Sequence, residues 1–195
     1  MKQHHGDDHP SRLVQEEIPL PRPDQLHIFL LGGFRVRVGL RWISSSDWYL
    51  RKPQSLLKLL ALAPEHRLHQ GELIALLWPG LDRPGGLQIL TKALTLVQRV
   101  LERNLPVNLP STYLHWDEDV VELGPPGRVW VDVEAFTNVA QRAVRTWDPA
   151  DCDQAIRLYR GDLLPEDRFE SWTVEPREQL KGLRLSLASC QETAV

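Results

Sequence analysis

Three segments with helical periodicity follow one another between residues 51 and 103, and this run constrains the fold most. The first covers residues 51–63, carries its leucines at helical spacing and ends at a proline. The second covers residues 70–78 and ends at Trp78-Pro79-Gly80. The third covers residues 86–103. The pattern predicts three consecutive helices.

The third segment separates apolar from polar side chains when the sequence is wound at about 100° per residue. One side is broad and apolar, with Leu90, Leu94 and Val97 at its centre. The opposite strip is polar, weakly basic and able to form hydrogen bonds. Its members are Gln88, Thr91, Lys92, Thr95, Gln98, Arg99 and Arg103. Such a strip suits the major groove of DNA, but an ordinary amphipathic surface helix has the same pattern. Taken alone, the pattern favours the ordinary helix.

Strand patterns flank the three helices on both sides. Apolar residues alternate over residues 26–30 and again over 34–38, with a pair of glycines between them, which predicts a hairpin with one apolar face. A third short strand is expected at Trp42-Ile43. A second hairpin is predicted over residues 113–123, with an acidic tip at Asp117-Glu118-Asp119. Strands, three helices and a terminal hairpin together predict a winged-helix arrangement.

Charge is distributed unevenly along the chain, although the total is only -3. Residues 26–110 carry 11 basic and 5 acidic side chains, whereas residues 111–195 carry 9 basic and 16 acidic ones. A basic middle segment predicts that one module meets a polyanion. Chance clustering of charges on solvated surfaces is the alternative.

The sequence points to neither a reaction nor a membrane. Cys152 and Cys190 form neither a disulfide framework nor a metal-ligand cluster, so a reducing compartment is expected. No apolar run approaches the length of a membrane span, and the chain begins without a signal peptide. No catalytic constellation or phosphate loop is recognisable. We expect a cytoplasmic protein that is not an enzyme and holds no cofactor or metal.

The two ends of the chain differ from its middle. Residues 1–25 hold three histidines and four prolines without periodicity, which predicts a flexible leader whose histidines lack the supporting groups of a metal site. Helical spacing returns over residues 133–144, 149–159 and 170–190. Helix pairs of this type bury their apolar faces by stacking on neighbours. Few residues remain for such stacking, so we expect a fragment, a truncated product or a helix that awaits a partner.

Several stretches carry a family resemblance. In the first half they are Leu30-Leu31-Gly32-Gly33-Phe34, Arg51-Lys52 before Leu56-Leu57, Glu72-Leu73-Ile74 leading to Leu77-Trp78-Pro79, and Leu90 to Leu101. In the second half they are Val131-Asp132-Val133 with Phe136, the run from Tyr159 to Pro165, and Trp172 with Glu175 and Arg177-Glu178. The first set, over residues 26–136, resembles the OmpR/PhoB-type winged-helix half of bacterial SARP-type activators. The second, over residues 131–187, resembles the start of the bacterial transcriptional activator domain.

This resemblance implies an organisation and a function. It implies an α+β winged-helix DNA-binding domain at residues 26–125, followed by an all-α, tetratricopeptide-like, partial activator domain at residues 131–195. It further implies a transcriptional regulator, expected to be an activator, that reads the major groove of double-stranded DNA with helix 86–103. RNA polymerase is the implied partner, and a homodimer or tandem pair the implied assembly.

The resemblance also implies which side chains meet DNA. They are Gln88, Thr91, Lys92, Thr95, Gln98, Arg99 and Arg103 on the third helix, with Arg51 and Lys52 at the start of the first helix as phosphate contacts. For Arg51 and Lys52, simple solvation on a helix surface is an equal alternative. Family members usually carry arginines where this chain has Thr91 and Gln98, and the acidic hairpin tip would repel phosphate. The alternative function is therefore a non-enzymatic protein-interaction adaptor, built on a winged helix with degraded DNA binding.

Overall fold

Within the described residues, strands come first, three helices and a hairpin follow, and further helices come last. The computed structural model describes residues 25–103, 105 and 109–188, so the expected leader lies outside the described residues except for Gln25. The strands in this part are β1 (Leu26–Phe29), β2 (Arg35–Val38), β3 (Arg41–Ile43), β4 (Arg67–His69), β5 (Leu114–Asp117), β6 (Val120–Leu123) and β7 (Val129–Val131). The helices are α1 (Arg51–Leu62), α2 (Gln70–Leu77), α3 (Arg83–Leu101), α4 (Asp132–Thr146), α5 (Pro149–Leu158) and α6 (Val174–Ser186). The fold is mixed α/β.

The first sheet has the strand order β3-β2-β1-β7, with β7 parallel to β1 and the other pairs antiparallel. The first hairpin and the third strand lie where the sequence predicts them. The expectation of a single apolar face is wrong for β1, because all four of its residues are buried. Leu26 and Ile28 belong to the main core. On the other face, the aromatic rings of Phe29 and Trp130 pack together at 5.4 Å.

The first two helices, α1 and α2, match their predictions to within one residue, but α3 requires a correction. It begins at Arg83 rather than residue 86 and ends at Leu101 rather than residue 103. The Asp82 side chain accepts a hydrogen bond from the Gly85 amide at 3.1 Å, and a proline occupies the first turn, so the cap forms earlier than the periodicity indicates. The expected connecting loop over residues 80–85 is correspondingly shorter.

A second sheet of three strands, in the order β4-β6-β5, contains the predicted second hairpin. Strand β4 was not predicted. It has three residues between two helices and pairs antiparallel with β6, Leu68 lying opposite Val121. Such a strand is too short to show a period of two, and its pairing depends on a segment that lies more than 50 positions further along the chain.

The C-terminal helices lie near their predicted positions, with one correction. The helix expected over residues 170–190 spans only Val174–Ser186 and follows a 3-10 turn over residues 171–173. Leu185, expected on its apolar face, is 71% exposed, whereas Leu180 and Leu187 are buried. Cys152 in α5 is buried and disulfide-bonded, so the cysteine count no longer argues for a reducing compartment. No helix within the described ranges is both long enough and apolar enough to span a membrane.

The C-terminal segments are attached to the first sheet by backbone and carboxylate contacts. Asp132, the first residue of α4, accepts hydrogen bonds from the amides of Leu30 at 2.8 Å and Leu31 at 3.0 Å. The Leu164 amide donates to the Leu30 carbonyl at 2.9 Å. Glu166 accepts from the Phe34 amide at 3.0 Å. The strand end at residues 30–34 is therefore satisfied largely by the C-terminal half.

Candidate nucleic-acid interface

Helix α3 presents the predicted polar strip at the protein surface. Gln88, Thr91, Lys92 and Arg99 are exposed, and Thr95 and Gln98 are half-buried. The opposite side is buried against α1 and α2, through Gly86, Leu90, Ala93, Leu94, Val97 and Leu101. Near its start, α3 packs closely against α2, because a Cβ atom on Gly86 would lie 2.5 Å from Ile74 Cγ2. The strip is thus the outward side of a helix that is tightly packed on its inner side.

The two threonines of the strip use their hydroxyl protons within the helix. Thr91 donates to the Leu87 carbonyl and Thr95 donates to the Thr91 carbonyl, both at 2.9 Å. A hydroxyl that donates to the backbone four residues earlier still has acceptor capacity. In this conformation the threonines can therefore accept from a base amino group but cannot donate to a base carbonyl.

The basic residues divide into two groups. Lys92 and Arg99 have no carboxylate within ion-pair distance among the residues that the structure describes. Arg103 lies beyond the end of α3 and pairs with Asp47. A cation already paired with a carboxylate has less to gain from a phosphate, so Lys92 and Arg99 are the cations of the strip that remain available.

The predicted phosphate contacts at the start of α1 also differ from each other. Arg51 lies 3.4 Å from the buried carboxylate of Asp167, in the C-terminal half, while 78% of its own side chain is exposed. Lys52 is exposed. Arg51 therefore contributes to the junction with the C-terminal half in addition to any role at the surface.

Two further arginines make contacts at the ends of α3, and neither was predicted from the sequence. Arg41 of β3 donates from Nη2 to the carbonyls of Val100 at 3.2 Å and Leu101 at 2.7 Å, where the helix leaves its last carbonyls without internal partners. Arg83, in the first turn, lies 3.3 Å from Asp119 at the tip of the β5–β6 hairpin. The alternation of β3 gave no signal for Arg41, and Arg83 was assigned to a loop.

The acidic hairpin tip is fixed beside the starts of α2 and α3. The Gln70 side chain donates to the Glu118 carbonyl at 2.6 Å, and the Gln70 amide donates to the Asp119 carbonyl at 2.7 Å. Asp119 is partly neutralised by Arg83, whereas Asp117 and Glu118 are exposed. The tip therefore keeps a negative charge near one end of the polar strip, which lowers the attraction of this end for a phosphate backbone.

An open cleft of about 530 Å³ lies beside α2 and the turn that leads to α3. Its lining is mostly apolar and includes Ile74, Trp78 and Leu81. Within the described residues, no group of three or more histidine, cysteine, aspartate or glutamate side chains is arranged to hold a metal ion.

The fold, but not the sequence, is similar to a known protein. Neither a protein-family model nor a curated protein sequence matches this chain. Among solved structures, it resembles Mycobacterium tuberculosis EmbR in complex with a low-affinity phosphopeptide, with a TM-score of 0.66 and 16% sequence identity. The match covers 84% of this chain and 44% of that chain, so this chain spans less than half the length of EmbR. At this identity the similarity shows a shared fold alone.

Proposed function

We propose that the protein is a DNA-binding transcriptional regulator that inserts α3 into the major groove. The observation that carries the proposal is the exposed strip on α3, in which Lys92 and Arg99 form no ion pair with the described residues. Asp82 caps the start of this helix, and Arg41 donates to its last carbonyls. A rigid helix with outward amides, hydroxyls and cations suits base-edge and phosphate contacts. The shared fold with EmbR, a SARP-type regulator, supports the same function.

The proposed regulator has two domains that follow an N-terminal leader. Residues 26–125 are a winged-helix domain of the OmpR/PhoB type, with β5 and β6 as the wing, and residues 131–195 are the start of a tetratricopeptide-like activator domain. Residues 1–25 are a leader. By the family resemblance, the regulator activates transcription in the cytoplasm through RNA polymerase and binds DNA as a homodimer or tandem pair.

Within α3, the proposal gives each side chain a role that follows from its chemistry. Lys92 and Arg99 neutralise phosphates or bind guanine, Gln88 and Gln98 bind base edges, and Thr91 and Thr95 accept from base amino groups. The peripheral contacts are Arg103, Arg51 and Lys52. To bind a phosphate, Arg103 would first have to break its ion pair with Asp47, and Arg51 its ion pair with Asp167. The central contacts are therefore Lys92 and Arg99.

The test is DNA selection followed by affinity measurement over a series of salt concentrations. Duplexes enriched from a random pool should bind with an affinity that falls steeply as salt rises, and Lys92→Ala with Arg99→Ala should reduce the log–log slope by about 0.9 for each lost phosphate contact. Arg145→Ala is the matched control, because Arg145 is an exposed arginine on α4. The proposal fails if no duplex is enriched or if the α3 variant behaves like the control.

The second candidate is an adaptor that binds protein through the same architecture. Two observations favour it. The carboxylates of Asp117 and Glu118 are exposed, and the hydroxyl protons of Thr91 and Thr95 are already donated to backbone carbonyls within α3. An adaptor would bind duplex DNA negligibly even at low salt, where electrostatic attraction is strongest. The same salt series therefore separates the two functions.

A further inference from the structure

The face of the first sheet that points away from the main core combines arginines with aromatic rings. The pairing register places Trp42, Arg37, His27 and Trp130 side by side across four strands, and Phe29 opposite Arg35. Residues separated by two positions on a strand share a face, so these two rows form one surface. We call it the outer sheet face, and define it by His27, Phe29, Arg35, Arg37, Trp42, Trp130 and the neighbouring Arg160.

The three arginines of the outer sheet face lie over rings rather than beside carboxylates. The guanidinium carbon of Arg35 lies 5.2 Å from the Phe29 ring centroid, that of Arg37 5.4 Å from Trp42, and that of Arg160 6.0 Å from Phe29. None of the three forms an ion pair within the described part of the chain. Other arginines do form ion pairs: Arg67 with Glu122, Arg83 with Asp119 and Arg142 with Asp151. Arg35 acts at longer range on the buried carboxyl of Asp132, whose pKa it lowers, but no carboxylate of the described residues lies within ion-pair distance of Arg35, Arg37 or Arg160. The face therefore concentrates positive charge.

One buried polar atom on this face also has no partner among the residues that the structure describes. It is the Nε atom of Arg37, which is buried and finds no hydrogen-bond acceptor in the described part of the chain. Buried polar groups in folded proteins are nearly always paired, and leaving a donor unsatisfied is unfavourable. The unpaired Arg37 donor agrees with a face that a partner covers, and the charge and exposure of the face are what point to that partner.

The rings are poorly placed to stack nucleic-acid bases. Phe29 is 6% exposed and lies against two guanidinium groups, and Trp130 packs tilted against His27 and Phe29. Trp42 is 51% exposed, but the Arg37 guanidinium already lies over its ring and Phe29 packs against it. A single-strand binding platform needs free ring faces. A guanidinium that lies over a ring still presents its edge, and that edge donates two parallel hydrogen bonds to a carboxylate. The arrangement favours carboxylates over bases.

We propose that the outer sheet face binds an extended acidic segment of another protein, with carboxylates at alternate positions and an apolar side chain between or beside them. In an extended peptide, side chains two positions apart are separated by about 6.7 Å, the same spacing as that between Arg35 and Arg37 on β2. Trp42 is 51% exposed and Leu40, in the adjoining turn, is 82% exposed, and these two give the apolar side chain a surface. This site is separate from the strip on α3 and does not depend on DNA binding.

The test uses two short fluorescein-labelled peptides of identical composition and the full chain. In one, glutamate and leucine alternate; in the other, all glutamates are adjacent at one end. Fluorescence anisotropy should show about tenfold tighter binding of the alternating peptide, since two positioned ion pairs are lost in the other. Equal affinity for the two peptides would overturn the proposal, and this comparison requires no variant.

Variants then locate the site. Arg35→Gln with Arg37→Gln should weaken the alternating peptide about tenfold and leave the thermal unfolding midpoint within a few degrees of that of the native protein. Lys92→Ala with Arg99→Ala, the pair on α3, should not alter peptide binding. If peptide binding survives the loss of Arg35 and Arg37, the site lies elsewhere.

Other occupants give different outcomes, each of which would overturn the proposal. A single-stranded oligonucleotide that binds more tightly than the peptide, and loses affinity in the Arg35 and Arg37 variant, would identify a nucleic-acid site. A concentration-dependent dimer abolished by the same variant would identify a second copy of the chain. Peptide binding that appears only after removal of residues 1–24 would identify the chain's own N-terminal segment.

Discussion

Lys58 and Asp167 form an ion pair across 109 positions of sequence, and each side chain is only 3% exposed. Lys58 lies on α1, and its ammonium group also lies 3.1 Å from Glu166 and 4.6 Å from the centroid of the Phe34 ring. The ion pair joins the three-helix part of the chain to the C-terminal half. Two buried charges of opposite sign make this junction sensitive to the loss of either one.

We expect Asp167→Asn to lower the free energy of unfolding by about 3 kcal/mol, because it leaves Lys58 buried with one partially exposed carboxylate. Replacing both charges, with Lys58→Met and Asp167→Leu, should recover most of this loss, since no isolated charge remains. Urea denaturation of the two variants and the native protein measures the difference. A double variant as unstable as the single one would show that the charges stabilise the junction on balance.

The stability of the fold should fall as pH rises between about 4 and 6. Burial raises the pKa of Asp132 from 3.8 to about 6, although the amides of Leu30, Leu31 and Val133 lower it. The folded state therefore holds this proton more tightly than the unfolded state, and the stability present below pH 4 is lost as pH rises through 6, by up to about 3 kcal/mol. Asp132→Asn should remove this dependence. Urea denaturation at each pH is the measurement, and an unchanged slope in the variant would assign the dependence to other groups.

Gly86→Ala should destabilise the protein by about 1–3 kcal/mol, although alanine is the better helix former. The added Cβ atom would lie 2.5 Å from Ile74 Cγ2 and force α2 and α3 apart. Gly182→Ala is the matched control in α6, where a Cβ atom meets nothing within 4 Å, and it should stabilise by about 0.5–1 kcal/mol. Thermal unfolding of both variants measures the change in midpoint temperature. Changes of the same sign in the two variants would contradict the close packing at Gly86.

Arg41→Met should loosen the last turn of α3. The substitution removes the donor to the Val100 and Leu101 carbonyls, a charge-assisted contact worth about 1.5–3 kcal/mol. Amide hydrogen exchange should accelerate in the C-terminal turn of α3 and remain unchanged in its first turn, which Asp82 caps. Lys52→Met, at an exposed position on α1, is the control that removes a charge without touching α3. Exchange that accelerates equally in both variants would exclude capping by Arg41.

Local signals predicted much of the fold. The order of strands, helices and hairpin followed from alternation, helical periodicity and proline positions, and α1 and α2 lie within one residue of their predicted ends. The start of α3 was placed too late because the capping carboxylate of Asp82 is a side-chain contact that periodicity does not register. Strands β4 and β7 were missed because each has three residues and depends on a distant partner.

The polar strip was predictable because it lies on one helix, and the structure places most of its members at the surface. The contacts that restrict it were not predictable. Arg103 pairs with Asp47, which is 56 positions away in the sequence, and Arg51 pairs with Asp167, which is 116 positions away. Pairing between distant charges depends on the tertiary fold, which amphipathic patterns do not encode.

Strand β7 has a practical consequence for dissecting this protein. It follows the hairpin in sequence, yet it completes the first sheet by lying parallel to β1, where Ile28 is opposite Val131. A recombinant fragment that stopped at residue 125 would expose the hydrogen-bonding edge of β1, and bare strand edges recruit other chains. Fragments intended for binding assays should therefore retain residues through α4, so that insolubility is not mistaken for an inability to bind.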